Sequence, residues 1–285
     1  MNANTQQPES LHFSTLNCRG QLIDLSQPKM MGILNVTPDS FSDGGSFNTE
    51  KTALVQVEKM IGEGATIIDI GAQSTRPNAQ LLDSKDEILR IGKIISSLKK
   101  EFPHVLISLD TFFSETVQFG FKEGINLVND ISGGMYDDEM YETVAYTGLP
   151  YVLMHVNGSY HSMHEKLIDD DIILKLNHYF SEKIQLLRGF GIKDIILDPG
   201  FGFGKTVAQN HQLIQEFNQL SFGQFPILAG ISRKSFIYKP LGKSPLDVEE
   251  ETQKLHLKML EKGAKILRVH DVAATKKTID HFISN

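Results

Sequence analysis

The chain has one cysteine, Cys18, among its 285 residues. No intrachain disulfide can form, which excludes a disulfide-stapled scaffold and fits a reducing compartment such as the cytoplasm. Long apolar runs are missing too. No stretch approaches the roughly 18 residues that a membrane-spanning helix needs, so no membrane association is expected. The opening "MNANTQQPES" is uncharged up to Glu9 and holds no apolar segment of the kind a signal peptide carries. Dense basic runs are absent and the net charge is −7, so nucleic acid is not expected as a partner. A small anionic substrate stays open, because a few local cations or a metal can outweigh a diffuse negative field. No repeat, linker or low-complexity stretch interrupts the chain. We therefore expect a loose tail over residues 1–10 and a single domain over 11–285.

What is present is ordinary in amount and orderly in arrangement. Hydrophobic residues make up 40% and charged residues 22%, enough apolar surface for a sizeable core. Eight short apolar runs recur: "MMGILNV" (30–36), "ATIIDIG" (65–71), "HVLISLD" (104–110), "INLVND" (125–130), "YVLMHV" (151–156), "DIILDPG" (194–200), "FPILAGIS" (225–232) and "KILRVHD" (265–271). Near-continuous runs of this kind suit strands buried on both faces of a parallel sheet. Helical patterns fill the gaps. "TALVQVEKMIGEGA" places Leu54, Val57, Met60 and Ile61 on one stripe and ends in glycines. Eight such units in succession predict a (β/α)8 TIM barrel, with a doubly wound open sheet as the alternative. Ahead of the first unit, "LHFSTLNCRGQLIDLSQP" reads as a β-hairpin turning at Arg19-Gly20 and plugging the N-terminal mouth of the barrel. Cys18 sits in that hairpin, away from the other mouth, and is expected to be inert.

The strand ends are polar. The runs finish at Asn35, Asp110, Asn129-Asp130, His155, Asp198, Ser232-Arg233-Lys234 and the trio Arg268, His270 and Asp271. Single capping residues are common, but so many converging on one mouth point to a site. Asp110, Asn129, Asp198 and Lys234 offer donors and acceptors suited to a flat heterocycle with an amide and an amino edge. Arg268 and His270, two apart on a strand, share one side and with Asn35 suit an anion. Two connections are long and rich in Gly, Ser and Asp: 37–50 and 72–87. Loops on that face of a barrel build active sites.

"DPGFGFGKT" (198–206) looks at first like a phosphate-cradling loop. A P-loop needs glycine where Pro199 stands, and a dinucleotide fingerprint needs a different spacing from that of Gly200, Gly202 and Gly204. We read it instead as a tight turn out of a strand, close to a planar ligand, with Phe203 as an aromatic wall and Lys205 as a loop charge. His155, His161 and His164 lack a spacing that supports a metal site.

Five stretches, "MGILNVTPDSFSDGG", "GAQSTRP", "DPGFGFGKT", "GISRKSF" and "LRVHDV", resemble the signatures of the dihydropteroate synthase family, in order, from about residue 28 to about 280. The resemblance implies a TIM barrel, usually a homodimer. It implies a folate-synthesis enzyme that joins 4-aminobenzoate to 6-hydroxymethyl-7,8-dihydropterin diphosphate with help from Mg²⁺. It further implies that Asp110, Asn129, Met154, Asp198 and Lys234 hold the pterin, and that Asn35, Arg268 and His270 hold the diphosphate, Asn35 also meeting Mg²⁺. Thr75, Arg76, Pro77, Phe203 and Ser235 would shape the aminobenzoate site. Asp39, Phe41, Ser42 and Asp43 would lie on a closing loop, and Lys234, Asp110, Arg268 and His270 would carry the chemistry. For the dimer, helices late in the barrel, such as 248–262, would contribute apolar surface. One departure stands out: Gln73 replaces the family's usual Glu, a lost charge that could loosen Arg76. A pterin-binding methyltransferase on the same barrel and a non-catalytic homologue are the rival readings.

Overall fold

The computed structural model describes residues 15–36, 46–74, 80–163, 167–168, 171–220, 222 and 225–285. The expected tail lies outside them. The hairpin is β1 (Thr15–Cys18) and β2 (Gln21–Asp24), antiparallel, with Cys18 opposite Gln21. Its two turn residues, Arg19 and Gly20, both have positive φ, 60° and 86°, the conformation that matches strand twist in a two-residue hairpin. Arg19 is held there by a 2.7 Å bond to Phe121 O and by stacking 4.5 Å above the Phe121 ring.

Eight parallel strands then close a barrel: β3 (Lys29–Asn35), β4 (Ile67–Gly71), β5 (Leu106–Asp110), β6 (Leu127–Asp130), β7 (Tyr151–Met154), β8 (Ile195–Asp198), β9 (Ile227–Ala229) and β10 (Ala264–Val269). They pair in chain order, with β10 returning to β3. Closure leaves no free sheet edge. The β8–β9 seam is the thinnest, with one register pair, Leu197 to Ile227. Pro226 accounts for part of this: it has no N–H for a ladder, and only its carbonyl reaches Leu197 N, at 2.9 Å.

Helices follow the strands on the outside: α1 (Ser46–Gly62), α2 (Ser84–Glu101), α3 (Ser114–Glu123), α4 (Met140–Thr147), α5 (Ile172–Gly189), α6 (Val207–Gln215), α7 (Ser235–Tyr238), α8 (Glu249–Glu261) and α9 (Val272–Ser284). Their starts are written locally. Asp83 caps α2 through Asp86 N, and Thr206 and Gln209 form a reciprocal capping box on α6. Their apolar stripes, such as Ile91, Ile95 and Leu98, pack on the outward residues of the strands, such as Ile68, Ile70, Ile107 and Leu109.

The inward residues form a separate core. Met31, Ile67, Leu106, Leu127, Val152, Ile196, Leu228 and Ile266 contribute one side chain from each barrel strand, and Leu16, Cys18, Ile23 and Leu25 of the hairpin segment complete the cluster. The hairpin therefore plugs the N-terminal mouth, as its sequence predicts. Cys18 is wholly buried there, and burial pushes its thiol up to about 12, so it stays protonated and unreactive.

Candidate active site

Side chains alternate along a strand, so the next inward position lies two residues beyond the apolar floor. There the barrel changes character: Asp69, Ser108, Asn129, Met154, Asp198 and Arg268 occupy the second layer. Asp110, Asn35 and His270 come one step further toward the C-terminal mouth. The Arg268 guanidinium lies between two carboxylates, with Nε 2.6 Å from Asp69 Oδ2 and Nη2 2.6 Å from Asp110 Oδ2. Asn129 Nδ2 donates to the same Asp69 oxygen at 3.0 Å. Asp69 is fully buried. Its Oδ1 and the Oγ of its register partner Ser108 have no hydrogen-bond partner among the described residues.

This packing sets the titration. Burial pushes Asp110 above the usual carboxylate range, and Arg268 pulls against that shift. Burial raises Asp198 too, opposed by the Gly200 N–H, 2.7 Å from its Oδ1, and by Lys234. Burial draws Arg268 down, but Asp69 and Asp110 outweigh it and hold the guanidinium firmly charged. Lys234 is lowered to about 8, by burial and then by Arg268. When all are ionised, the cluster carries three carboxylates against two cations, a net −1. In that state it favours a ligand that is, or becomes, cationic.

An apolar wall stands over this polar ring. Phe112, Ile131, Met154, Val156, Met163 and Phe203 form one buried cluster, bordered by Phe113, Tyr136 and Tyr160. Lys234 Nζ sits 4.1 Å from the centre of the Phe203 ring. Lys234 directly precedes α7 without a side-chain capping bond, and Ser235 is that helix's first residue. His270 is fixed by Ser232, whose Oγ lies 3.2 Å from its backbone N and 3.1 Å from its Nδ1. Asn35 ends β3 with its side chain exposed at the mouth.

The structure thus brings Asp110, Asn129, Met154, Asp198, Lys234, Phe203 and Arg268 together, with His270, Asn35 and Ser235 at the rim. Thr75, Arg76, Pro77, Asp39, Phe41, Ser42 and Asp43 lie outside the described residues. Three of the polar strand ends do not face the mouth, because each directly follows an inward residue and alternation turns it outward. Asp130, after Asn129, accepts from Ser132 N, Gly134 N and Tyr151 Oη. His155, after Met154, is buried edge-on against Tyr179 with ring centres 4.8 Å apart. Asp271, after His270, caps α9 through Ala274 N.

Lys205 is not a loop charge either. It is 6% exposed, and its Nζ meets Gly200 O at 2.8 Å, Phe203 O at 3.0 Å and His155 Nδ1 at 3.2 Å. Gln73 is buried and pairs with both backbone groups of Leu82: Nε2 donates to its O at 2.9 Å, and Oε1 accepts from its N at 3.3 Å. A neutral amide can serve both groups, and an ionised Glu cannot. The substitution ties the two ends of the second loop together at its root.

Sequence reasoning missed Asp69. Its signal was present: a lone carboxylate inside the apolar run "ATIIDIG", at an inward register two residues past Ile67. Phe112 and Ile131 were also missed. Nothing local separates them from ordinary core residues.

Comparison with known proteins places this geometry. Residues 31–270 match the family model described as "Pterin binding enzyme". A dihydropteroate synthase from Synechocystis is 42% identical over 248 residues, covering 86% of each chain. Among solved structures, the Xanthomonas albilineans dihydropteroate synthase with 4-aminobenzoic acid superposes with a TM-score of 0.88 at 34% identity, covering 95% of this chain and 97% of that one. The same enzyme in complex with 7,8-dihydropteroate gives 0.85 at 32% identity, covering 95% and 98%.

Proposed function

The chain belongs to the pterin-binding enzyme family, and we infer from that membership and from its site that it has dihydropteroate synthase activity. It joins 6-hydroxymethyl-7,8-dihydropterin diphosphate to 4-aminobenzoate, giving 7,8-dihydropteroate and diphosphate in folate synthesis. The observation that carries this reading is the buried polar ring of Asp69, Asp110, Asn129, Asp198, Arg268 and Lys234 under an apolar wall at the barrel mouth.

In the reaction, the C–O bond to diphosphate breaks and the leaving group takes the electron pair. The aryl amine nitrogen then bonds the methylene carbon and loses a proton to solvent. We assign a dissociative, S_N1-like course. Carboxylates at Asp110, Asp198 and Asp69 stabilise positive charge spread over the dihydropterin. Asn129 and the carboxylates take its amide and amino edge, and Met154 packs on its face. Lys234 borders both substrates. His270 and Arg268 meet the diphosphate, and Phe203 and Ser235, with Thr75, Arg76 and Pro77, shape the aminobenzoate site. Asp39, Phe41, Ser42 and Asp43 would act by closing over the bound substrates, as the family resemblance implies.

The described residues hold no group of three or more His, Cys, Asp or Glu suited to a metal. Asn35 offers one exposed carboxamide oxygen at the mouth. That fits Mg²⁺, which keeps water and takes its remaining ligands from substrate phosphate. Asn35 would hold it, and the metal would supply charge neutralisation on the departing diphosphate. We also assign a homodimer and a cytoplasmic setting. Among the described residues no large hydrophobic within the expected stretch 248–262 is exposed; Leu241 and Leu246, just ahead of it, offer apolar surface for a second copy instead. Among the described residues no helix is long and apolar enough to cross a membrane.

The test is product formation from the pterin diphosphate, 4-aminobenzoate and Mg²⁺. Dihydropteroate that depends on aminobenzoate supports the reading. Folded protein that binds the pterin and yields no product sinks it.

A further inference from the structure

Lys205 is a buried amine in an unusual setting: burial draws it down to about 7, and Asp198 pulls against that shift. Its three contacts, Gly200 O, Phe203 O and His155 Nδ1, are all neutral, and no carboxylate pairs with it in the described structure. An ammonium has three N–H donors, and here all three are used. Two of the acceptors belong to the turn that leads out of β8. Those carbonyls point into the turn, and Gly200 O also accepts from Phe203 N at 3.2 Å, so the lysine joins a turn that its own backbone closes. Lys205 therefore does for this turn what a small cation does when backbone oxygens wrap around it.

The third contact ties the turn to the end of the preceding strand, β7. His155 is held neutral, its pKa pulled down to about 2 by burial and then by Lys205. Only a neutral ring can accept at Nδ1. Tyr179 holds the ring edge-on and donates to Met154 O at 2.8 Å. From outside, Asn210 pins the same turn: it accepts from Gly202 N at 2.8 Å and donates to Lys205 O at 3.2 Å. Gly200 is required for the close fit. Its φ is +66°, and a Cβ there would lie 2.0 Å from His155 O.

The turn presents Phe203 to the site. Its carbonyl is bound from below by Lys205, and its ring faces Lys234 Nζ at 4.1 Å. We propose that Lys205 is a positioning residue: its ammonium folds the turn 199–205 around itself and so sets the Phe203 ring that walls the aryl-amine site. This rests on the function proposed above. The Asp198 side of the turn depends on Lys205 less, because the Gly200 N to Asp198 Oδ1 bond closes a local two-residue turn without it, and the lysine reaches that carboxylate only through space. Loss of Lys205 therefore disturbs aminobenzoate more than pterin.

The experiment is a double-mutant cycle of Lys205→Met and Phe203→Ala in the full chain, read by steady-state kinetics and by fluorescence titration with the pterin substrate. Wild-type turnover tests the function itself, so its absence is distinguishable from failure of the cycle. The expected result is a KM for aminobenzoate raised about tenfold in each single variant, with pterin KM within about threefold. In the Lys205→Met background, Phe203→Ala should add less than about twofold, because the ring is already displaced. Fully additive effects, or an unchanged aminobenzoate KM in Lys205→Met, would overturn the proposal. A folded Lys205→Met that no longer binds pterin would overturn it as well. Should that variant fail to fold, Lys205→Gln, which keeps two amide hydrogens for the two carbonyls, should hold the aminobenzoate KM within about threefold of the parent, and a rise of about tenfold there would overturn the proposal.

Discussion

The floor and the second layer of this barrel are two residues apart on the same strands. Ile67 and Asp69, Leu106 and Ser108, Leu127 and Asn129, and Ile196 and Asp198 are equally inaccessible neighbours, all between 0% and 6% exposed. The floor needs only shape to be stable. The layer above needs its polar atoms matched, and it meets most of that need by pairing Asp69, Asn129, Asp110 and Arg268 with one another. The match is incomplete at Asp69 Oδ1 and Ser108 Oγ. Equal burial thus holds two kinds of structure: one that gains free energy by leaving water, and one that holds costly charge where a reaction can use it.

Substitutions can break this division. The largest effect is expected for Lys234→Ala in the upper region, where turnover should fall by about 10²–10³-fold, measured as dihydropteroate formed, with the unfolding midpoint nearly unchanged. In the floor, Leu106→Ala should do the reverse. It should cost about 2–5 kcal/mol in denaturant unfolding and leave the KM of both substrates within about twofold. A loss of turnover in that variant, at temperatures where it is folded, would argue against treating the layers as separate.

Asp69 sits between the two regimes. Asp69→Asn keeps shape but removes half of the charge that faces Arg268, so kcat/KM for the pterin diphosphate should fall about 10- to 100-fold, consistent with losing one charge-assisted bond of about 1.5–3 kcal/mol. An unchanged value would mean that Asp110 alone holds the guanidinium. The smallest effect is in pH dependence. Lys234 carries its charge only below its lowered value of about 8. Kcat/KM should therefore decline above about pH 8, at most tenfold per unit, and Lys234→Arg should move that limb upward, since a guanidinium keeps its proton. A profile flat to pH 9.5 in the parent enzyme would remove Lys234's proton from the mechanism.

Much of the site was legible because a strand has a simple period. Asn129, Asp198 and Arg268 could be read as inward-facing once the run around each was recognised as a strand. The same rule, applied strictly, would have turned Asp130, His155 and Asp271 away, since each stands one residue from an inward neighbour. Asp69 was hidden for a different reason. Inside an apolar run it looks like an isolated polar residue, and only closure of the barrel brings Arg268, 199 positions later, onto it.

The sequence by itself determined the succession of strands and helices, the hairpin turn at Arg19-Gly20 and the polar character of the C-terminal mouth. Periodicity, caps and turn chemistry act over a few residues and can be read from them. Tertiary structure alone decided which charges are shared. It placed Arg268 between Asp69 and Asp110, used Gln73 to tie Leu82, and wrapped Lys205 in carbonyls. Those pairings depend on distances of a few ångströms between residues far apart in the chain, and in a low-dielectric interior such distances decide whether a charge is stabilised or stranded.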